Sequence, residues 1–396
     1  MFLGNKKCRI YAACGVSQTP NEYLIWEGKR FMNIVYISHL TNIKAQGPNN
    51  SVPAQISAQS KIDNVFWWNL TDAIQEHWIQ TGLFHGIEEF PVKDFINLPE
   101  PFNKPDLVVF ESFYYMDDVK MARLCRKRKV PYVIVPRSAL TRSGQKKKWY
   151  KKIIANLLFF RPMTKGANAI QYLTVQEKEE SGKKWNTRFF VIPNGICMPD
   201  TLKKYEDNHS LHGISIGRID PYQKGLDILI EACEQLKEEL IDNGFSVSLH
   251  GPERHGCRAA IKKEIQEKHL DDILKIEEGV FDDEKRKAIL ESDFFVMTSR
   301  FEGHPMALLE ALSYGLPCLV SRGSNMKNEI DKYDAGWTCE TTVESIKEGI
   351  LQLISDRNQF SNKGVNASKL AREYNWNAIA TKSHEYYKRC IEKKWL

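Results

Sequence analysis

The stretch SRFEGHPMALLEALSYGLPCLVSRGSN, residues 299–325, decides the fold. It follows an apolar run at 293–298, which predicts a strand, and it opens with a short loop that contains Glu302. Pro305 suits the first turn of a helix, because the N–H that proline lacks would have no partner there. A Gly-Leu-Pro turn then leads from this helix into a second apolar run. Strand, loop, helix and strand in this order are typical of a parallel sheet covered by helices.

The same alternation of apolar runs and amphipathic helices extends in both directions. It begins at Met32 and restarts after a polar segment at 200–210. We therefore predict an α/β fold with two doubly wound Rossmann-like domains that face each other across a cleft. The predicted strands are 34–38, 64–68, 107–111, 132–136, 169–173, 189–192, 213–217, 246–250, 272–277, 293–298 and 317–321. The main predicted helices are 117–128, 146–160, 225–240, 283–290, 305–314 and 377–394.

The length of 396 residues suits two domains, and the contents of 42% hydrophobic and 27% charged residues exclude disordered and fibrous chains. No apolar run approaches the ~20 residues of a membrane-spanning helix. Nine cysteines without a C-x-x-C pair predict buried thiols in a reducing compartment. The predicted boundaries are 1–31 for an appendage or extended start, 32–200 for a first Rossmann-like domain, 201–376 for a second one and 377–396 for a helix that packs back on the first domain.

The net charge of +6 is unevenly distributed. Residues 1–196 carry 28 Lys/Arg against 16 Asp/Glu, and the remainder carries 28 against 34. Within 120–165 there are fifteen Lys/Arg and no Asp/Glu, and the cluster KKKWYKK runs into IIANLLFF at 153–160. Such a segment predicts contact with an anionic membrane, although a solvated helix face before an ordinary core is the alternative. The candidate membrane-facing residues are Lys146, Lys147, Lys148, Trp149, Lys151 and Lys152.

Two motifs in the second half can carry chemistry. In IGRIDPYQKG, Arg218 ends a predicted strand and Lys224 precedes a helix, so both cations can reach one phosphate group. Glu302 and Glu310 lie eight residues apart, one in a loop and one in a helix, and can approach one ligand from the same side. The alternative is that all four are ordinary solvated side chains.

Residues 299–325 closely resemble the E-x7-E signature of the retaining glycosyltransferases of family four, which have the GT-B fold. The resemblance implies that 32–200 form an acceptor-binding domain and 201–376 a donor-nucleotide-binding domain. It implies that Glu310 binds the ribose of a sugar nucleotide and that Glu302 faces the donor sugar. It also implies that Arg218 and Lys224 hold the diphosphate and stabilise its departure. The further donor-binding candidates that it implies are Gly217, Gly251, Val280, Gly303, His304, Pro305 and Met306.

The first half departs from the family's common pattern. Many relatives have a Gly-Gly loop after the first strand, whereas this chain keeps only Gly47, followed by Pro48, Asn49 and Asn50. These asparagines could contact phosphate or could equally cap a helix. Where many relatives have a histidine, this chain has Arg137, which could bind phosphate or acceptor but is too basic to act as a general base.

The resemblance implies a hexosyltransferase that retains the configuration of the transferred sugar by front-face attack. We expect a nucleotide-sugar donor, with a UDP-sugar favoured, and a lipid-linked or surface-polysaccharide acceptor such as lipopolysaccharide. No D-x-D triplet is present, and we expect no metal and no cofactor. Such an enzyme would be cytoplasmic and peripheral at the inner face of the membrane, and we expect no nucleic-acid partner. The alternatives are a catalytically silent GT-B binding or scaffolding subunit and a GT-B epimerase or phosphorylase.

Overall fold

The computed structural model describes residues 31–43, 47–146, 149–205, 210–253 and 256–394. The predicted appendage, apart from Phe31, lies outside these residues, as do Lys147 and Lys148. The described residues form two compact units. We call them the seven-strand unit, which comprises 31–195, Phe301–Met306 and 376–394, and the six-strand unit, which comprises Ile196–Arg300 and Ala307–Asn375.

The seven-strand unit is built on a parallel sheet whose strand order is β3-β2-β1-β4-β5-β6-β7. Its strands are β1 (Asn33–Ser38), β2 (Asn64–Asn69), β3 (Phe84–Gly86), β4 (Leu107–Phe110), β5 (Tyr132–Ile134), β6 (Ala169–Tyr172) and β7 (Phe189–Val191). Its first helices are α1 (Pro48–Gln59), α2 (Glu76–Ile79), α3 (Met116–Arg128), α4 (Arg142–Lys146), α5 (Trp149–Ala155), a π-helical turn (Asn156–Phe160), α6 (Arg161–Gly166) and α7 (Val175–Ser181). The central strands are buried on both faces, which explains their continuous apolar runs.

The six-strand unit repeats this plan, with parallel strands in the order β10-β9-β8-β11-β12-β13. Its strands are β8 (Leu211–Ile216), β9 (Phe245–His250), β10 (Leu274–Glu277), β11 (Phe294–Met297), β12 (Cys318–Ser321) and β13 (Gly336–Cys339). The helices from residue 221 to residue 372 are α8 (Pro221–Lys224), α9 (Leu226–Gln235), α10 (Lys237–Asp242), α11 (Cys257–Glu267), α12 (Asp282–Glu291), α13 (Met306–Ser313), α14 (Lys327–Tyr333), α15 (Val343–Ser355) and α16 (Phe360–Arg372).

The last helix, α17 (Trp376–Glu392), belongs to the seven-strand unit. The Tyr387 hydroxyl donates a hydrogen bond of 3.0 Å to Gln171 Oε1 in β6. The His384 ring lies 3.0 Å from the carboxylate of buried Asp63. The chain changes from one unit to the other at 195/196 and at 375/376, against predicted boundaries at 200/201 and 376/377.

The α/β class and the two parallel sheets are confirmed, and three local predictions are wrong. Strands β3 and β13 were missed because neither Phe-His-Gly nor Gly-Trp-Thr-Cys forms an apolar run. The single predicted helix 225–240 is two helices, and Gly225 lies before them with φ of 63°. The predicted helix 146–160 is divided into several segments, one of them π-helical. Within the described residues, every helix is too short or too polar to cross a bilayer.

Candidate active site

A recess lies at the carboxyl ends of β8, β9 and β11 in the six-strand unit, where ligands of parallel sheets bind. It contains both cations of the second motif, Arg218 and Lys224. In the described part of the chain its lining includes no carboxylate, so its fixed charge suits an anionic ligand. The lining residues are Ser215, Ile216, Gly217, Arg218, Ile219, Lys224, Leu226, Leu249, His250, Met297 and Ser299.

Two of the predicted glycines shape this recess. The amide N–H of Gly217 donates to the His250 carbonyl oxygen at 2.9 Å, which joins the loops after β8 and β9. A Cβ atom at Gly251 would lie 1.6 Å from the Gly217 carbonyl oxygen, so only glycine fits there. A Cβ atom at Gly217 would lie 3.0 Å from Lys224 Cε, so the lysine side chain runs along the bare backbone of Gly217.

The short helix α8 carries Lys224 at its end and holds the side chain of Arg218. Arg218 Nη2 donates to Gln223 Oε1 at 2.9 Å. Asp220 caps α8, because its carboxylate accepts a hydrogen bond of 3.0 Å from the Gln223 amide. Gly225 ends α8 in the left-handed conformation, which fixes the direction of the chain directly after Lys224.

Arg300 connects this helix to the end of β11, and sequence reasoning missed it. Its guanidinium forms two parallel hydrogen bonds to the Asp227 carboxylate, at 2.6 and 2.8 Å. It also donates to the Tyr222 carbonyl oxygen at 2.9 Å, and its own amide donates to the Gln223 carbonyl oxygen at 2.9 Å. The segment that carries Lys224 is therefore fastened on both sides. The sequence signal is limited to an arginine two positions before Glu302.

Close packing of the backbone strengthens the same connection. The Thr298 hydroxyl lies 3.1 Å from the carbonyl oxygens of both Lys224 and Gly225. A Cβ atom at residue 225 would lie 2.1 Å from the Thr298 carbonyl oxygen, so glycine is required there by space as well as by its backbone angle.

Glu310, the second glutamate of the E-x7-E motif, lies on α13 and is about three-quarters buried. Its Oε1 accepts a hydrogen bond of 2.9 Å from Lys285 Nζ on α12. Lys285 was not predicted, because only the fold places α12 next to α13. The lysine fixes one carboxylate oxygen of Glu310, and the second oxygen can accept hydrogen bonds from a ligand.

The residues from Glu302 to Met306 belong to the seven-strand unit, so the two glutamates of the motif lie in different units. The helix starts at Met306, and Pro305 therefore precedes it instead of standing in its first turn as predicted. His304 is buried, and burial lowers the pKa of its imidazole to about 3. It is therefore neutral at physiological pH, when an imidazole with an ordinary pKa would be partly charged.

The remaining donor-binding candidates lie beside the recess. Gly251 follows β9, and its carbonyl oxygen accepts a hydrogen bond of 2.8 Å from Arg258 Nη2. Val280 is half-buried in the loop after β10, where His250 Nδ1 lies 3.1 Å from the carbonyl oxygen of Glu278. Arg258 also pairs with the Glu278 carboxylate. These contacts join the loops after β9 and β10.

In the seven-strand unit, Arg137 takes part in a buried polar network. Its guanidinium is 2.7 Å from Oε2 of Glu111, whose side chain is fully buried, and it also contacts Ser51 and Asn194. Gln55 Nε2 donates to the other oxygen of the same carboxylate at 2.9 Å. The charge of Arg137 is therefore largely balanced within the protein, which leaves it less suited to bind an anionic ligand than the sequence predicts.

The turn after β5 is held in an unusual conformation. Arg137 and Ser138 both have positive φ angles, 47° and 67°. The Glu177 carboxylate accepts hydrogen bonds from the amides of Ser138 and Leu173, at 2.5 and 2.7 Å. Burial raises the pKa of Glu177, and these backbone bonds oppose that shift. Glu177 therefore stabilises a strained turn, a role that the sequence did not reveal.

The prediction for the loop after β1 needs correction. Helix α1 begins at Pro48, with Gly47 in the cap position and no side-chain cap. Asn49 is fully buried, and its Nδ2 donates to the carbonyl oxygens of Thr41 and Ile43, at 2.6 and 2.8 Å. Because Asn49 is buried, it cannot contact phosphate. Because it lies inside α1, it cannot cap that helix. Gly47 and Asn50 are exposed.

One of the predicted membrane-facing residues is also misplaced. Lys152 points towards the protein, where its Nζ donates to the Gly144 carbonyl oxygen at 2.5 Å and lies 4.8 Å from the centroid of the Tyr114 ring. Lys146, Trp149 and Lys151 are exposed, as predicted.

Residues 204–372 match the family model described as glycosyl transferases group 1. This segment of the six-strand unit and of the E-x7-E motif is therefore similar to the group 1 glycosyltransferases. The matched segment includes Arg218, Lys224, Glu302 and Glu310. Together with the relatives named below, it confirms the predicted enzyme class, a glycosyltransferase.

Similar proteins support the same classification. An uncharacterised glycosyltransferase of Methanocaldococcus jannaschii is 25% identical over 256 residues, which are 64% of this chain and 67% of that protein. An Escherichia coli UDP-Gal:alpha-D-GlcNAc-diphosphoundecaprenol alpha-1,3-galactosyltransferase is 54% identical over 46 residues, which are 11% of this chain and 12% of that protein. The chain covers only 31% to 40% of the length of several other relatives that it matches. The match to the galactosyltransferase is local, because it covers only 46 residues.

The fold extends beyond the segment that matches the family model. The Anabaena protein HepE, solved with UDP and glucose, superposes with a TM-score of 0.67 at 15% identity, over 90% of this chain and 99% of that one. At this identity the likeness concerns the fold alone. It confirms the predicted GT-B architecture.

Proposed function

We propose that the protein transfers a sugar from a nucleotide-sugar donor to a lipid-linked or surface-polysaccharide acceptor, with retention of configuration and without a metal. The observation that carries this proposal is the recess with two fixed cations, Arg218 and Lys224, and no carboxylate among its described lining residues. A departing nucleoside diphosphate needs stabilisation of the negative charge that develops on its bridging oxygen.

Preorganisation of the two cations favours catalysis over mere binding. Gln223 holds the guanidinium of Arg218, and the contacts of Arg300 and Thr298 fasten the segment that carries Lys224. Charges fixed in this way cost little reorganisation when the sugar–phosphate bond breaks. Because Arg218 and Lys224 supply the positive charge themselves, we expect turnover to continue in the presence of a chelator.

A UDP-sugar is the favoured donor. HepE was solved with UDP, and the name of the Escherichia coli relative specifies UDP-Gal. In this reading Glu310, oriented by Lys285, binds the ribose, while Glu302 and the loop up to Met306 orient the sugar. Front-face attack by the acceptor hydroxyl needs no protein nucleophile, and we assign none.

A lipid-linked acceptor fits the charge of the first half. Residues 1–196 have 28 basic and 16 acidic side chains, and diphosphate-linked lipids and lipopolysaccharides are anionic. The acceptor of the Escherichia coli relative is a diphosphoundecaprenol-linked sugar by its name. We therefore place the enzyme at the cytoplasmic face of an anionic membrane, as a peripheral protein.

Donor binding and hydrolysis test the proposal. Thermal shifts with UDP-, GDP- and ADP-sugars in the presence of EDTA should single out one nucleotide, and the purified protein should slowly hydrolyse that donor. Arg218→Ala with Lys224→Ala should abolish hydrolysis. Lys268→Ala, which removes an ion pair with Glu231 elsewhere in the six-strand unit, is the matched control. Full hydrolysis by the double variant, or no response to any sugar nucleotide, would contradict the proposal.

A further inference from the structure

Six large apolar side chains are exposed on one short helical segment of the seven-strand unit. They lie on α5 and the π-helical turn, and their exposed fractions range from 55% to 64%. We call them the apolar stripe: Trp149, Tyr150, Ile153, Ile154, Leu157 and Leu158. Within 153–160, Phe160 is buried as a core residue, whereas the four aliphatic side chains of the apolar stripe face outwards.

The members of the apolar stripe share one face of the helix. They form three adjacent pairs at intervals of four residues, and side chains four residues apart lie above one another. Single exposed apolar residues are common on proteins, whereas a contiguous apolar face marks a surface that binds something.

The opposite face of the helix points inwards, where Ala155 and Phe159 pack against the core and two polar side chains are bonded. Lys152 bonds to the Gly144 carbonyl oxygen, and Asn156 Nδ2 donates to Gln145 Oε1 at 2.9 Å. Both residues are held by specific hydrogen bonds, and Asn156 is buried. Rolling the helix to bury the apolar stripe would break these bonds, so the outward orientation is built into the fold.

The charge around the apolar stripe identifies the partner. Lys146, Lys151, Arg161 and Lys165 are exposed along the same segment, and no Asp or Glu occurs within 120–165. The partner must therefore combine an apolar interior with a negatively charged surface. An anionic bilayer has both properties, whereas a second copy of this chain would bring the same positive charge against itself.

We infer that the apolar stripe inserts into the interfacial region of an anionic bilayer, with α5 lying in the membrane plane and the basic side chains contacting lipid phosphates. The inference rests on the proposed function, which it deepens by naming the docking surface and its driving force. Binding depends on apolar burial as well as on charge, as is typical of interfacial helices.

Vesicle co-sedimentation tests the inference with two double variants. Ile154→Glu with Leu157→Glu places two carboxylates in the apolar stripe. Ile241→Glu with Val365→Glu makes the same change at two side chains of the six-strand unit that are exposed to a similar degree. We expect the wild type and the control to bind vesicles of phosphatidylcholine with phosphatidylglycerol, and the affinity of the stripe variant to fall at least about tenfold. About 0.5 M salt should weaken wild-type binding without abolishing it, because salt screens only the charge contribution.

Tryptophan fluorescence gives a second readout. Trp149 is 61% exposed, and its emission should shift to shorter wavelength when anionic vesicles are added. Trp149→Phe should remove this shift, because buried indoles such as Trp67 and Trp185 already lie in an apolar environment.

Three results would overturn the inference. They are absence of wild-type binding to anionic vesicles, equal binding by the stripe and control variants, and self-association through the apolar stripe in place of vesicle binding. Hydrolysis of the soluble donor separates this outcome from failure of the proposed function, since the stripe variant should hydrolyse at the wild-type rate. If the wild type hydrolyses the donor but does not bind anionic vesicles, the docking surface alone is rejected.

Discussion

Replacing Arg300 with alanine should impair turnover much more than it impairs folding. The substitution removes two hydrogen bonds to Asp227 and one to the Tyr222 carbonyl oxygen. Buried bonds of this kind contribute about 1.5–3 kcal/mol, but the two side chains are 22% and 44% exposed, and solvent reduces the ion pair to about 1 kcal/mol. With the bond to Tyr222, we expect the free energy of unfolding to fall by about 2 kcal/mol, which lowers Tm by about 6 °C.

The effect on catalysis follows from what the guanidinium fastens. Without it, the segment from Asp220 to Asp227 loses its guanidinium contacts to the end of β11 but keeps backbone and Thr298 contacts, so that Lys224 is positioned less firmly. A displacement of about 1 Å at a catalytic group can cost about a hundredfold in rate. We therefore expect kcat to fall about 10- to 100-fold while the KM for the donor changes little, since Glu310 and Lys285 are untouched.

Steady-state kinetics and thermal unfolding of four proteins measure this prediction. They are the wild type, Arg300→Ala, Asp227→Ala and the double variant, with Lys268→Ala as a control for the loss of an ordinary surface ion pair. If the two residues act through each other, the double variant should be no slower than either single variant. A wild-type kcat in folded Arg300→Ala would show that the ion pair does not position Lys224, and the reasoning would then fail.

Three further changes test other parts of the site. Lys285→Ala should weaken UDP binding about fivefold in calorimetry, because it releases one carboxylate oxygen of Glu310; unchanged affinity would remove Glu310 from the nucleotide site. Gly251→Ala should lower the free energy of unfolding by at least about 3 kcal/mol in urea titrations, because its Cβ would overlap the Gly217 carbonyl oxygen; a near-neutral effect would contradict the close approach. Burial lowers the pKa of His304 from 6.5 to about 3, so the unfolded chain binds more protons between these values and stability is lost as pH falls below 6.5. From pH 7 to pH 5 this loss should be about 2 kcal/mol and should be absent in His304→Gln, and an equal loss in both proteins would exclude His304 as its source.

Local sequence signals predicted the central elements well. Helix α13 and strand β11 were placed within one or two residues, because an apolar strand, a loop with glycine and a proline at the helix start occur within a few positions. The two motif cations were also brought to one recess, since both flank elements that end at the same edge of the sheet. Such features depend on neighbours in the chain, which a sequence displays directly.

Contacts between distant residues could not be predicted in this way. Arg300 and Asp227 are 73 positions apart, and only the pairing of β11 with β8 brings them together. Asn49 was misjudged for a related reason: its amide serves the carbonyl groups of a preceding loop whose path the sequence does not specify. Which side chains of 153–160 belong to the core could not be predicted either, because the inward side of the helix is set by the bonds of Lys152 and Asn156 to a preceding segment.

The cationic side chains of the protein differ in burial and in pairing. Arg137 is a candidate for phosphate or acceptor binding from the sequence, yet Glu111 balances its charge inside the seven-strand unit. Lys146 and Lys151, in contrast, are exposed beside the apolar stripe, where their charge is available to a membrane. Arg218 and Lys224 are fixed in a recess for a small anion. Total charge therefore says little about the number of anion sites, because burial and pairing decide which cations stabilise the fold and which remain for the lipid surface and the donor diphosphate that we propose.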